Sequence, residues 1–208
     1  MKKILINCEG FDLGKFIIPA FELYEGELIT LYLYNGAHFY GLSMKLVDIF
    51  TGKMKHNAVT LNEPLTYVKH FKESRLRRMF FPTTISRYIK NENIKQQEVI
   101  KKIYAIESEM GKLEPSTQLV MLEQTERKLL SLYSVLNQTN KIIFDLVGQS
   151  PQGAIKTFRI VKSELAKTGT AILLDGFEDE RIKNESSKWI RIGVNDDFNT
   201  VNIANLSE

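Results

Sequence analysis

The sequence predicts an α/β domain, a mainly parallel sheet with a helical insertion in its middle. Three observations carry that reading. Short apolar runs alternate with helical periodicities along the chain. Two of those runs, Lys141–Asp145 and Ala171–Asp175, end in an acid. Between residues 85 and 135 the apolar period becomes wholly helical, which marks a helical subdomain inside one domain spanning residues 1–208. Continuous apolar runs of this length suit strands covered on both faces. With 208 residues, 43% of them hydrophobic and 25% charged, the chain can bury a sizeable core, and neither disorder nor a fibrous repeat fits.

Taken in order, residues 3–8 read as a strand and Lys15–Tyr24 as a second, with Pro19 suiting a sheet edge. Glu25-Gly26-Glu27 is a turn, Leu28–Leu33 a buried strand and Asn35-Gly36 a loop signal. Leu42, Leu46, Ile49 and Phe50 then share one helical face up to Gly52. Val59–Leu61 and Leu65–Val68 are short strands. Helical spacing runs from residue 85 to 112, closed by Gly111, and a Leu-rich helix covers Leu122–Leu136. Lys141–Asp145 is a strand, Gly153–Leu165 a helix, Ala171–Asp175 a strand, and Lys188–Gly193 a last strand carrying Trp189.

A net charge of +3 implies no nucleic-acid partner unless it is concentrated somewhere. It is concentrated in Lys69, His70, Lys72, Arg75, Arg77 and Arg78, beside Phe71, Phe80 and Phe81. Such a stretch suits a nucleic-acid backbone, a protein contact or a plain solvated loop. The single cysteine, Cys8, lies in an apolar run and fits a buried strand in a reducing compartment. His38, His56 and His70 are too scattered to suggest a metal, and no serine-nucleophile elbow is present. Asn7, Glu9 and Asp12 interrupt what would be a signal peptide's apolar stretch, and no run approaches the roughly 20 apolar residues of a membrane span. The expectation is a cytoplasmic protein that meets a membrane only through a partner.

Several local strings, in this order and spacing, resemble the ATP-binding domain of ABC transporters, a phosphate-loop NTPase fold, over roughly residues 10–180. Gly26-Glu27 precedes the central strand. Asn35-Gly36-Ala37 resembles the middle of the phosphate loop, and the helix running to Thr51-Gly52-Lys53 the helix that follows it. Tyr67-Val68-Lys69-His70 stands where that family has a strand ending in glutamine, and Phe80–Ile85 leads into the helical subdomain. Glu126–Leu130 resembles the start of the signature helix, Ile142–Asp145 the second nucleotide-binding strand, and Gly148–Pro151 its next loop.

On that register the phosphate-binding chemistry is rewritten. A G-x-x-x-x-G-K-[ST] loop needs small glycines for backbone contact with phosphate, a lysine for its charge and a hydroxyl for Mg²⁺. Here Leu33 and His38 take the glycine positions, Phe39 the lysine and Tyr40 the hydroxyl residue. Leu146 replaces the catalytic glutamate after Asp145, and Asp175-Gly176 stands where a switch histidine is expected. Met121–Thr125, in the signature position, has no glycine pair. The resemblance therefore implies vestigial nucleotide contacts at Asn35, Gly36, Ala37, His38 and Asp145, no catalytic residue, no metal ligand and no resident cofactor, with weak ATP and Mg²⁺ binding left open.

The expected role is a pseudoenzyme: a non-hydrolysing binding or regulatory protein acting through a permease, a true ATPase or a second copy of itself. Lys69, Lys72, Arg75, Arg77 and Arg78 are its candidate partner contacts. One alternative is a nucleotide-binding transporter subunit with atypical ligands. Another is a soluble nucleic-acid-associated module.

Overall fold

The computed structural model describes residues 2–33, 36, 38–71, 73–108, 111–166 and 168–195, with the backbone alone at residues 75 and 77. The chain opens with β1 (Ile4–Cys8), β2 (Phe11–Leu13), β3 (Phe16–Ile18), β4 (Phe21–Tyr24) and the central β5 (Leu28–Tyr32). Helix α1 (Phe39–Phe50) follows, then β6 (Val59–Leu61), β7 (Thr66–Tyr67), α2 (Arg75–Phe80), α3 (Ile85–Asn91) and α4 (Gln97–Tyr104). A small hairpin of β8 (Glu107–Ser108) and β9 (Gly111–Lys112) leads towards α5 (Gln124–Leu136). The chain continues through β10 (Lys141–Asp145), α6 (Pro151–Leu165), β11 (Thr170–Asp175), α7 (Glu180–Glu185), β12 (Lys188–Arg191) and β13 (Gly193–Val194).

Five strands form an all-parallel sheet in the order β12-β5-β11-β10-β7. Two small antiparallel sheets, β4-β1-β6 and β13-β3-β2, lie beside it. The sequence reading of an α/β fold with a mainly parallel sheet therefore holds. In β5 and β11 every residue is buried, as the continuous apolar runs require, yet the period of two still decides which face each side chain serves. Ile142, Phe144, Ala171 and Leu173 join the core shared with α3 to α7. Ile143, Ile172, Leu174, Ile29 and Leu31 join the opposite core, with α1 and the strands β1 and β4.

Two expectations are corrected. Lys15–Tyr24 is not one strand. Pro19 cannot donate to a ladder, and the chain breaks there, sending β3 and β4 to different sheets. Residues 85–112 are not continuously helical. Asn93 adopts φ 54°, which stops α3, and after α4 the chain folds into the β8–β9 hairpin, where Gly111 has φ 95°. Their apolar residues still bury, Ile94 and Ile106 included. The periodicity thus located buried positions correctly without locating a continuous helix. Among the described residues, no helix is long and apolar enough to cross a membrane.

Candidate functional site at the carboxyl ends of the parallel strands

The carboxyl ends of β5, β10 and β11 lie side by side: Asp145 pairs in register with Leu174, and Asp175 with Tyr32. In open α/β sheets this edge is where ligands bind. Two acids therefore stand at neighbouring strand ends, one residue out of step, and their surroundings differ sharply.

Asp145 is 2% exposed. The Tyr67 hydroxyl donates to its Oδ2 at 2.7 Å. Its Oδ1 accepts from His70 Nε2 at 2.8 Å and from the Val147 backbone N–H at 3.1 Å, and Lys128 Nζ lies 3.4 Å from the same oxygen. The Lys128 side chain is itself only 1% exposed, and its Nζ also donates to the Val68 carbonyl at 3.1 Å. Both carboxylate oxygens are thus engaged by the protein. Burial alone would raise the Asp145 carboxyl, but the His70 hydrogen bond and the Lys128 charge outweigh it and hold the group well below the usual carboxylate range. Burial pushes the Lys128 ammonium down, against the opposing charge of Asp145. Burial, then the Asp145 charge, pushes the Tyr67 phenol well up, so it remains a donor.

Asp175, 3% exposed, has no such company. Backbone N–H groups of Phe177, at 3.1 Å, and of Gly176 serve it. Burial raises its carboxyl to about 6.

Helix α1 starts at Phe39 with His38 as its N-cap, and the His38 side chain makes no cap hydrogen bond. The Phe39 backbone N–H donates to the Gly36 carbonyl at 2.9 Å. The Phe39 ring lies over Gly176, so close that a Cβ there would come within 2.9 Å of it. An apolar ring therefore sits between the start of α1 and the end of β11. At the other side, α5 and α6 meet closely: a Cβ on Gly153 would fall 2.1 Å from Thr125 Oγ1.

A cavity of about 480 Å³ opens beside Asp145, lined among others by Phe39, Tyr40, Lys53, Lys69, His70 and Arg127. Smaller cavities of about 210 Å³ and 290 Å³ flank Asp175.

Of the residues singled out from sequence, Gly36 and His38 lie exposed before α1, Asp145 is buried, and Lys69 lines the large cavity. Asn35, Ala37 and Lys72 lie outside the described residues, and for Arg75 and Arg77 only the helical backbone is described. Arg78 is exposed on α2, away from that cavity's lining. The basic set is therefore divided. Three residues near Arg78 in the chain are exposed and apolar: Leu76 at 73%, Met79 at 75% and Phe81 at 71%. The segment is pinned at its base, where Glu73 accepts from the Thr83 N–H at 2.8 Å and from its hydroxyl at 2.6 Å.

No protein-family model and no curated protein matches the sequence. Solved structures do resemble the chain along nearly its whole length. A nucleotide-free ATP-binding cassette from an ABC transporter superposes with a TM-score of 0.63 at 13% identity, covering 97% of this chain and 96% of that one. CbiO1 from Clostridium perfringens, part of the ABC transporter complex cbiONQ, gives 0.62 at 12% identity, covering 99% and 96%. The fold is that of an ABC ATP-binding domain. A metal-chelate type ABC transporter in an inward-facing conformation agrees, with a TM-score of 0.64 at 11% identity over 94% of this chain and 85% of that one.

Within this ABC-type fold, sequence reasoning singled out Asp145 and set His70 in the place of the family's strand-end glutamine, but it did not foresee that His70, Lys128 and Tyr67 are partners of Asp145. The signal for Lys128 was available. It directly precedes Leu129, Leu130 and Leu132 in a helix whose residues 128–134 are all buried, and a lysine there needs a buried counter-charge.

Proposed function

We propose that the chain is an ABC-fold subunit that binds a protein partner and does not hydrolyse ATP. The observation that carries this reading is the Lys128–Asp145 ion pair. In phosphate-loop enzymes the acid at this strand end helps to hold Mg²⁺. Here an internal ammonium, a histidine and a phenol already take up the carboxylate. Leu146 follows it with an apolar side chain that cannot polarise water, and the Phe39 ring offers no charge to a triphosphate. Asp175 beside that ring would repel one. These residues do not fit a Mg²⁺–nucleotide in the ordinary pose, and no catalytic step is assigned through one.

The partner surface is the pinned segment carrying α2. Exposed Leu76, Met79, Phe80 and Phe81 form an apolar protrusion rather than a purely basic one. Contiguous exposed apolar side chains mark interaction sites. Their number favours a protein partner over a nucleic-acid backbone, and a permease fits the likeness to transporter subunits. The test is phosphate release by the full chain with Mg²⁺ and ATP, alongside Asp145→Asn. The expected result is background for both. Turnover in the parent protein that the substitution abolishes would overturn the proposal.

A second reading, a nucleotide-binding subunit with unusual ligands, is favoured by the likeness to ATP-binding subunits and by Lys53, Lys69 and Arg127 around the large cavity. It predicts that a nucleotide protects those residues from chemical modification, whether or not Mg²⁺ is present.

A further inference from the structure

We propose that the cleft beside the end of β11 binds a positively charged alkyl group, an ammonium or a guanidinium, with Asp175 as its counter-ion. The two strand-end acids are unequally paired. Asp145 has Lys128 and His70. Asp175 is buried to nearly the same depth, lines the cavities of about 210 Å³ and 290 Å³, and forms no ion pair among the described residues. Removing a carboxylate from water without a counter-charge is costly, and such a cost invites a cation.

The surroundings select the ligand class. Leu146, Pro151, Ile155 and Ile182 give the larger cavity apolar walls, and no lysine, arginine or histidine lines either cavity. Phe177, 67% exposed, lines both, and an aromatic ring there can face a cation. The other charged groups nearby are accounted for. Asp179 pairs with Arg181 at 2.7 Å, and Lys183 lies 3.2 Å from Glu180 and 3.9 Å from Glu178. Phe39 and Leu146, which approach from α1 and the end of β10, are apolar.

Gln149 also lines the larger cavity. Its Oε1 accepts from the Thr157 hydroxyl at 2.6 Å, while its buried Nε2 has no partner among the described residues. Turning the amide over would leave the oxygen unmatched instead, so one polar atom of Gln149 is left over either way. A short alkyl chain with a cationic head matches Asp175 and these apolar walls. The pocket thus inverts the polarity of a phosphate cradle. Its ligand class is independent of whether the chain hydrolyses ATP, so failure of either idea leaves the other standing.

The experiment is calorimetric titration of the full chain with n-butylguanidinium and n-butylammonium, using n-butanol as the uncharged control. Saturable binding is expected for the cations and not for the alcohol. Because burial raises the Asp175 carboxyl to about 6, cation affinity should fall about tenfold from pH 7.5 to pH 5. Asp175→Asn should abolish binding, while Glu178→Gln retains it within about twofold. If Asp175→Asn does not fold, the pH dependence of the parent protein decides. A short Arg peptide and its citrulline counterpart separate the sources. An Arg peptide binding more tightly than butylguanidinium points to a protein side chain, and equal affinity points to a free amine or guanidine. Absent cation binding, equal affinity at the two pH values, or equal binding of butanol would each overturn the proposal.

Discussion

Lys128 and Asp145 are both almost wholly withdrawn from water, so each depends on the other more than a surface pair would. Removing one partner of a buried pair leaves an uncompensated charge and costs about 3–5 kcal/mol. Asp145→Ala should therefore lower the stability read from urea melts by about that amount, and adding Lys128→Met should recover much of it. Equal stability of the parent and single variant would contradict the burial argument. The two strand-end acids also pull the pH profile in opposite directions. The Asp145 carboxyl is lowered in the folded state, so its stabilisation is present above its unfolded value near 4 and is lost as pH falls through the folded one. The Asp175 carboxyl is raised from 3.8 to about 6, so the folded state binds its proton more tightly and stability falls as pH rises between those values. Asp175→Asn should remove that decline and stabilise the protein at pH 7.5, by at most about 3 kcal/mol. A loss of stability at pH 7.5 would show that the carboxylate is already paired.

At the scale of elements, the pinned α2 segment and helix α1 make different demands. The α2 segment hangs on Glu73, which receives both polar groups of Thr83 at its base. Glu73→Ala should cost about 1.5–3 kcal/mol through the lost charge-assisted bonds and hasten proteolysis within residues 74–82. Leu76→Ala or Phe81→Ala should change stability by no more than about 0.5 kcal/mol, because both side chains are exposed. Unchanged proteolysis in Glu73→Ala would show that the segment is held by other contacts. Helix α2 escaped sequence reading because Leu76, Met79 and Phe80 span barely more than one turn, too short a window for a period to stand out, and their side chains are exposed rather than buried. The central strands and α1 were legible because their buried faces are written as runs and as spacings of three and four. The break at Pro19 and the hairpin after α4 were hidden for the opposite reason: local backbone limits act on one or two residues, below the window in which periodicity speaks.

Across the whole molecule, the parallel sheet divides two cores and brings residues far apart in sequence to one edge. Tyr67, His70, Lys128 and Asp145 meet only because β7 lies beside β10 and α5 packs over them. That is why the acid was visible in the sequence while its ammonium was not: a strand-end acid has a local signature, whereas a buried counter-ion is defined by tertiary contact. In the proposed function, this internal cation occupies the carboxylate a nucleotide-bound Mg²⁺ would require. The most direct measurement is thermal unfolding of the full chain with saturating ATP, once with Mg²⁺ and once with EDTA. A ligand present at about 100 times its dissociation constant stabilises by about 2.7 kcal/mol, several degrees for a chain of this size. The two unfolding temperatures should differ by less than about 1 °C. A shift of about 5 °C or more that needs Mg²⁺ and disappears in Asp145→Asn would contradict it.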